Sequence, residues 1–144
     1  MTIAVRAIAR LLLGPSLVVA VAIMVKGYSD VGDGFSAGVI VALAVSLQYV
    51  AYGRRRAEAA LPLLRLAPFV AVSGLLLALA VGFFPVLRGK PIFTHWPAPG
   101  VEPTKIGTLE VLTAVAFDIG VFLLVVGVLV VLVHQLADDR PSTR

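Results

Sequence analysis

The core of the last apolar segment of this 144-residue chain, from Val111 to His134, contains a single acidic residue, Asp118. From Val111 to His134 no other side chain is charged, apart from His134 itself when it is protonated. An acidic side chain near the centre of a membrane helix costs roughly 2.5–3.5 kcal/mol on insertion scales. Asp118 is therefore a candidate for an ion or proton path, since a buried carboxyl can exchange a proton; the alternative is a structural acid held by hydrogen bonds.

Few other residues could take part in such a path. Glu110 precedes Asp118 by about two helical turns on a nearby but rotated face, and could equally be solvated near the membrane surface. Lys26, at the end of the first apolar segment, is either a counter-charge for Asp118 or an ordinary interfacial lysine. His134 is about 24 Å further along the helix, where it suits the negative end of the helix dipole. We therefore expect water, an ion or another protein to offset the burial of Asp118.

The sequence carries no signal for other chemistries. It has no cysteine, which excludes disulfides and thiolate metal sites. It also lacks a phosphate-binding glycine loop, a Ser–His–Asp pattern and the spacing of a metal site. The net charge of +4 comes from basic residues at the ends of apolar segments, where they act as topology anchors rather than as a nucleic-acid surface. We expect no cofactor, no metal, no nucleic-acid partner and no enzyme acting alone.

The composition predicts an all-α integral membrane protein. The chain is 60% hydrophobic with a mean hydropathy of +1.03, against about 45–50% apolar residues in soluble domains. Four spans are predicted within a single membrane domain over residues 1–144, at about 7–26, 35–53, 66–87 and 108–135. The first resembles a signal peptide, but its apolar run continues past the candidate cleavage site, so we interpret it as a retained helix.

Small residues recur in three of the spans. In membranes such residues let helices approach closely, and the partner helix can belong to this chain or to another. Beside Asp118, a glycine would leave room for water or for a neighbouring helix. The predicted packing positions are Gly34, Gly38, Ala42 and Ser46 in the second span, Gly74 in the third and Gly120 in the fourth.

The distribution of basic residues predicts the orientation. Eight of the 12 lysines and arginines fall at the amino end, in the second connection and in the carboxyl tail. The other two connections carry four. Both termini are therefore expected in the cytoplasm, with Asp118 in the outer half of the membrane.

Three motifs together resemble the B-type member (MrpB/MnhB family) of Mrp-type multisubunit cation/proton antiporters. The first is Gly27-Tyr-Ser-Asp-Val-Gly-Asp-Gly-Phe-Ser-Ala-Gly38, which is followed by Leu47-Gln-Tyr49 at the end of the second span. The third is Phe117-Asp118-Ile-Gly-Val121 in the fourth span. The chain departs from the family at Val31, where proline is frequent, and at Asp33, which replaces the middle glycine of a triple and adds a negative charge to the turn.

The resemblance implies a small subunit in the cell membrane, within an assembly that exchanges Na⁺ or another monovalent cation for H⁺. Its partners would be the A, C, D, E, F and G type subunits and the lipid bilayer. One buried carboxylate is too few for a proton relay across about 30 Å of hydrocarbon, so the other titratable or hydrated groups would come from neighbouring subunits. Two alternatives are a related subunit of a membrane-bound hydrogenase or similar respiratory complex, and a scaffold whose helix stripes bind larger subunits.

Overall fold

The computed structural model describes residues 2–26, 33–89 and 107–138, and in the last helix the side chains of residues 113–137. Most of the polar turn predicted over 26–34, of the proline-rich connection over 88–107 and of the tail over 138–144 lies outside the described residues. Asp33 and Gly34, predicted in the turn, instead begin the second helix.

Helices account for nearly all of the described chain. Four of them are long and apolar enough to cross a membrane, which confirms the predicted all-helical membrane class. The first begins at Ile3, four residues before the predicted start, so Pro15 lies near its middle. The elements are α1 (Ile3–Lys26), α2 (Asp33–Tyr52), α3 (Arg54–Ala60), a 3₁₀ helix (Pro62–Leu66), α4 (Ala67–Leu87) and α5 (Gly107–Asp138).

The short helix α3 was not predicted from the sequence. Gly53 separates it from α2 and has a φ of 78°, a left-handed conformation that glycine adopts without steric strain. The 3₁₀ helix then begins at Pro62, because proline is compatible with the first turn of a helix. The chain therefore turns sharply between α2 and α4 and places α3 at that end of the helices.

The membrane helices lie side by side in the order α1, α2, α5, α4, with the main contacts between neighbours in that order. Interhelical contacts give the directions. Gln48 and Tyr52 on α2 reach Ala9 and Arg6 on α1, in reverse order, so these helices are antiparallel. Gly120 and Gly127 on α5 pack at Ala78 and Ala71 on α4, so this pair is antiparallel too. Helices α2 and α5 run parallel and form the middle of the row.

Glycines bring α5 into backbone contact with both of its neighbours. A Cβ atom added at Gly120 would lie 2.8 Å from the backbone nitrogen of Ala78 on α4. One added at Gly38 on α2 would lie 3.0 Å from Cβ of Val125. Carbon atoms normally approach to about 3.5–4.0 Å, so these positions have no room for a side chain.

Apart from Tyr49, Gln48 and Asp118, the packed interior consists of small residues and valines. No large side chain among the described residues is fully buried, and apolar side chains on α1 and α4 are widely exposed. Because the row is one helix thick, its two faces must be covered by lipid or by other proteins.

Candidate functional site

Asp118 is buried where α5 meets the first turn of α2. The residue is 9% exposed. Gly34 lies directly against it, because a Cβ added at Gly34 would overlap the carbonyl oxygen of Asp118. Helix α2 therefore covers the backbone of α5 at this residue. A larger residue at position 34 would push the two helices apart.

The sequence led us to expect that water, an ion or another protein offsets the burial of Asp118, with Lys26 as the alternative counter-charge within this chain. In the structure Asp118 has at least one hydrogen-bonding or electrostatic interaction, as does Thr113, which precedes it on α5. The chain therefore supplies part of the environment of this carboxyl itself.

The other two candidate path residues lie near the same end of the helices. Lys26 is the last residue of α1; it is exposed and also takes part in an interaction. Glu110 belongs to α5, but its side chain lies outside the described residues. The structure thus brings Lys26 and Asp118 to one end of the row.

The candidate packing residues fall at the two contacts of α5. Gly34 and Gly38 face α5 from α2, and Gly74 and Gly120 meet between α4 and α5. Ala42 is 2% exposed on α2. Ser46 is partly buried and donates its hydroxyl to the Ala42 carbonyl at 2.7 Å. Gly34, Gly38 and Gly74 therefore contact α5, a helix of the same chain.

The opposite end of the row holds a polar cluster centred on Glu58 of α3. One carboxylate oxygen accepts a hydrogen bond from Arg54 Nε at 3.0 Å and lies 2.8 Å from His134 Nδ1 on α5. The other oxygen is 3.8 Å from Arg65 Nε. The Glu58 side chain is only 11% exposed, which lowers the solvent screening of these pairs.

Tyr49 of α2 packs against this cluster. Its ring meets the imidazole of His134 edge to face, with ring centres 6.5 Å apart and planes at 82°. The Tyr49 hydroxyl is buried and has no hydrogen-bond partner in the described part of the chain. Beside Tyr49 is a cavity of about 270 Å³, which Ser46 and Arg54 also line. The lining of this cavity is mostly apolar, and the Tyr49 hydroxyl oxygen itself is covered by protein atoms.

The contact between α2 and α5 therefore has ionisable groups at both ends. Asp118 lies beside Gly34 at one end, and His134 lies beside Tyr49 at the other. Between them Gly38 packs on Phe122 and Val125, without a titratable side chain. This apolar middle separates the two polar ends by about 24 Å along α5. Along this contact, the described side chains between Asp118 and His134 include no titratable group.

Sequence reasoning found Asp118 but missed the cluster at the other end. His134 was interpreted from its position at the helix end, and Glu58 was not singled out. One signal was available: Arg54 and Glu58 have the i,i+4 spacing of a helical ion pair. Across the described side chains, no three His, Asp or Glu come together as a metal site would require.

Comparison with known proteins identifies the family. Residues 4–131 match the model of a domain related to the MnhB subunit of Na⁺/H⁺ antiporters. The B-type Na⁺/H⁺ antiporter subunit of Bacillus subtilis is 30% identical over 82% of this chain and 80% of its own length.

Two further relatives extend the comparison. The B-type Na⁺/H⁺ antiporter subunit of Alkalihalophilus pseudofirmus is 32% identical over 78% of this chain and 76% of its own length. The A/B-type subunit of a probable K⁺/H⁺ antiporter of Rhizobium meliloti is 34% identical over 78% of this chain and 11% of its own length. All three relatives are named as transporter components rather than as enzymes. With four apolar helices and a family match over most of its length, this chain belongs to the MnhB-related family of antiporter subunits.

Proposed function

We propose that the chain is a small membrane subunit of a multisubunit monovalent cation/proton antiporter in the plasma membrane. Asp118 carries the proposal, because a buried carboxyl in a membrane helix is by default a candidate for an ion or proton path. The names of the relatives support Na⁺ and H⁺ as the exchanged ions, with K⁺ as a second cation to test.

The chain works with other proteins in this proposal. The row of helices is one layer thick, and the α2–α5 contact has an apolar middle. The further ion- or proton-binding groups of a transmembrane path therefore belong to other subunits. The candidates are the A, C, D, E, F and G types. Lys26 and Glu110 are proposed to accompany Asp118 at its end of the path.

The proposed orientation places both termini in the cytoplasm. Six arginines of the described chain gather at the end of the row that holds Glu58, namely Arg6, Arg10, Arg54, Arg55, Arg56 and Arg65. Clusters of Lys and Arg favour the cytoplasmic side. The Glu58 cluster then faces inward and Asp118 lies in the outer half of the membrane.

The test uses Asp118→Asn in the assembled complex, in inside-out vesicles. We expect Na⁺-driven or K⁺-driven proton movement to fall strongly, while the other subunits still co-purify. Asp33→Asn is the matched control, since Asp33 is a less buried acid at the same end. Normal exchange in Asp118→Asn would remove Asp118 from the ion route. Absence of cation-dependent proton movement in the wild-type complex would overturn the antiporter function.

Two alternatives make different predictions. A hydrogenase-type setting predicts co-purifying metal-cluster subunits; the relatives carry antiporter names and do not favour it. If the chain is only a scaffold, Asp118→Asn should leave cation-driven proton movement unchanged. One scaffold hypothesis has the glycine stripes of α2 and α4 bind larger subunits. It is not supported, because those glycines contact α5.

A further inference from the structure

A second site lies on the far side of α2 from the Glu58 cluster. A cleft of about 320 Å³ opens between α1, α2 and α3, and Arg10 and Arg56 both line it. Its other walls are largely apolar, with Leu13 on α1 and Ala60 and Leu61 at the end of α3. Two basic residues beside a largely apolar lining make this an amphipathic cleft.

The depth of Arg10 in the membrane follows from the hydrogen bonds between α1 and α2. Tyr52, the last residue of α2, donates its hydroxyl to the Arg6 carbonyl at 2.7 Å. Gln48 donates to the Ala9 carbonyl at 2.5 Å. Arg10 therefore starts about 6 Å, one helical turn, below the end of α2. A long arginine side chain at this depth extends toward the membrane surface, which is the end of the row where α3 carries Arg56.

The charges around the cleft are not balanced by the described residues. Arg54 and Arg65 approach Glu58, which is the single described carboxylate at this end of the row. Neither Arg10 nor Arg56 forms an ion pair with a described carboxylate. Gln48 and Tyr52 also line the cleft, and each donates one hydrogen bond to a carbonyl of α1, which leaves Gln48 one further amide N–H. The cleft thus offers positive charge to a ligand and little else that is polar.

We infer that this cleft binds the phosphate of an anionic phospholipid, with Arg10 and Arg56 on the phosphodiester and an acyl chain along Leu13 and Leu61. Guanidinium groups bind phosphate through paired N–H donors, and basic pockets between membrane helices bind anionic headgroups. A soluble anion would use the two arginines but would leave the apolar wall uncovered. The amphipathic lining therefore favours a lipid over free phosphate.

The experiment measures lipid binding to the full chain, purified in detergent and stripped of lipid, by native mass spectrometry. Phosphatidylglycerol and phosphatidylcholine with the same acyl chains are titrated separately. We expect phosphatidylglycerol to bind on the order of tenfold more tightly. Arg10→Gln/Arg56→Gln should abolish this preference, and each single variant should reduce it. Arg55→Gln, which removes an exposed arginine of α3 outside the cleft, should keep it.

Four outcomes would overturn the inference. The first two are equal binding of the two lipids to the wild type and an unchanged lipid preference in the double variant. The third is a loss of preference in Arg55→Gln as large as that in the double variant. The fourth is displacement of phosphatidylglycerol by inorganic phosphate at equal concentration. The last would identify a site for a free anion. Circular dichroism checks that each variant keeps its helices, and the single variants give the answer if the double variant does not fold. The measurement involves no transport, so it is independent of the proposed antiporter function.

Discussion

His134 Nδ1 lies 2.8 Å from Glu58 Oε1, and this contact joins the end of α5 to the short helix α3. The same oxygen accepts a hydrogen bond from Arg54 at 3.0 Å, so one carboxylate holds a residue of its own helix and a residue of α5. Helix α3 has only seven residues and would be marginal alone. Glu58 therefore helps to hold α3 in place, together with Ala57, which is buried in the core.

Glu58→Ala should destabilise the chain because it leaves Arg54 and Arg65 without their shared carboxylate. Exposed pairs contribute about 0–1 kcal/mol and breaking a buried pair costs about 3–5 kcal/mol, so a side chain that is 11% exposed should cost about 1–3 kcal/mol. The measurement is the free energy of unfolding in SDS titrations of the purified chain. Arg55→Ala on the same helix is the control and should change it little. Equal effects of the two variants would show that Glu58 does not hold α3 in place.

Gly38→Leu should disrupt the contact between α2 and α5. A Cβ atom at Gly38 would already lie 3.0 Å from Val125 Cβ and 3.2 Å from the Phe122 carbonyl oxygen, and leucine adds three more carbons. Overpacking of this kind costs about 1–3 kcal/mol or more. Gly14→Leu on α1 is the matched control, because no atom lies within 4 Å of a Cβ built there.

The two glycine variants should therefore differ in the purified chain alone, without other subunits. Gly38→Leu should lower the temperature at which the chain unfolds in detergent, and Gly14→Leu should leave it close to that of the wild type. If Gly38→Leu unfolds at the same temperature as the wild type, α2 and α5 are not in backbone contact.

The sequence predicts the four membrane spans better than it predicts the contacts at the two polar ends of the row. The four spans follow from hydropathy, since each apolar run is long enough to cross a membrane. The spacing of Gly34 and Gly38 indicates a close helix contact but does not say which helix makes it. Only the structure identifies α5 as that partner.

The Glu58 cluster was beyond sequence reasoning for a physical reason. Glu58 and His134 come from separate segments, and their contact depends on Gly53 turning the chain so that α3 reaches α5. Asp118 was easier to find, because a charge inside an apolar run is conspicuous without knowledge of the fold. Its partners were not predictable, because they depend on how the helices pack.

Gln48→Leu should weaken the attachment of α1 to α2. The amide of Gln48 donates to the Ala9 carbonyl, and one turn further along α2 Tyr52 donates to the Arg6 carbonyl. Side-chain hydrogen bonds between membrane helices contribute about 0.6 kcal/mol on average and up to about 1.7 kcal/mol. Each loss should appear in the free energy of unfolding in SDS, and the double variant Gln48→Leu/Tyr52→Phe should show nearly the sum.

Ser73→Ala is the control for these hydrogen bonds. Ser73 also donates to a carbonyl, that of Val70 at 3.0 Å, but this bond lies within α4 and is exposed. Its removal should leave the free energy of unfolding within about 0.5 kcal/mol of the wild type. A loss as large as that of Gln48→Leu would mean that the α1–α2 bonds have no special role.

Tyr49→Phe should have the opposite sign to Tyr52→Phe. The Tyr49 hydroxyl is buried without a hydrogen-bond partner among the described residues, and an unsatisfied buried polar group costs about 1–3 kcal/mol. Its removal should therefore leave the stability of the isolated chain unchanged or raise it by about 1 kcal/mol, whereas Tyr52→Phe loses the bond to the Arg6 carbonyl. The edge-to-face contact with His134 survives in phenylalanine, so the comparison isolates the hydroxyl. If Tyr49→Phe destabilises the purified chain, the hydroxyl is satisfied by water or by a residue outside the described part of the chain. If only the assembled complex is destabilised, its acceptor belongs to another protein of the complex that packs on α2 and α5.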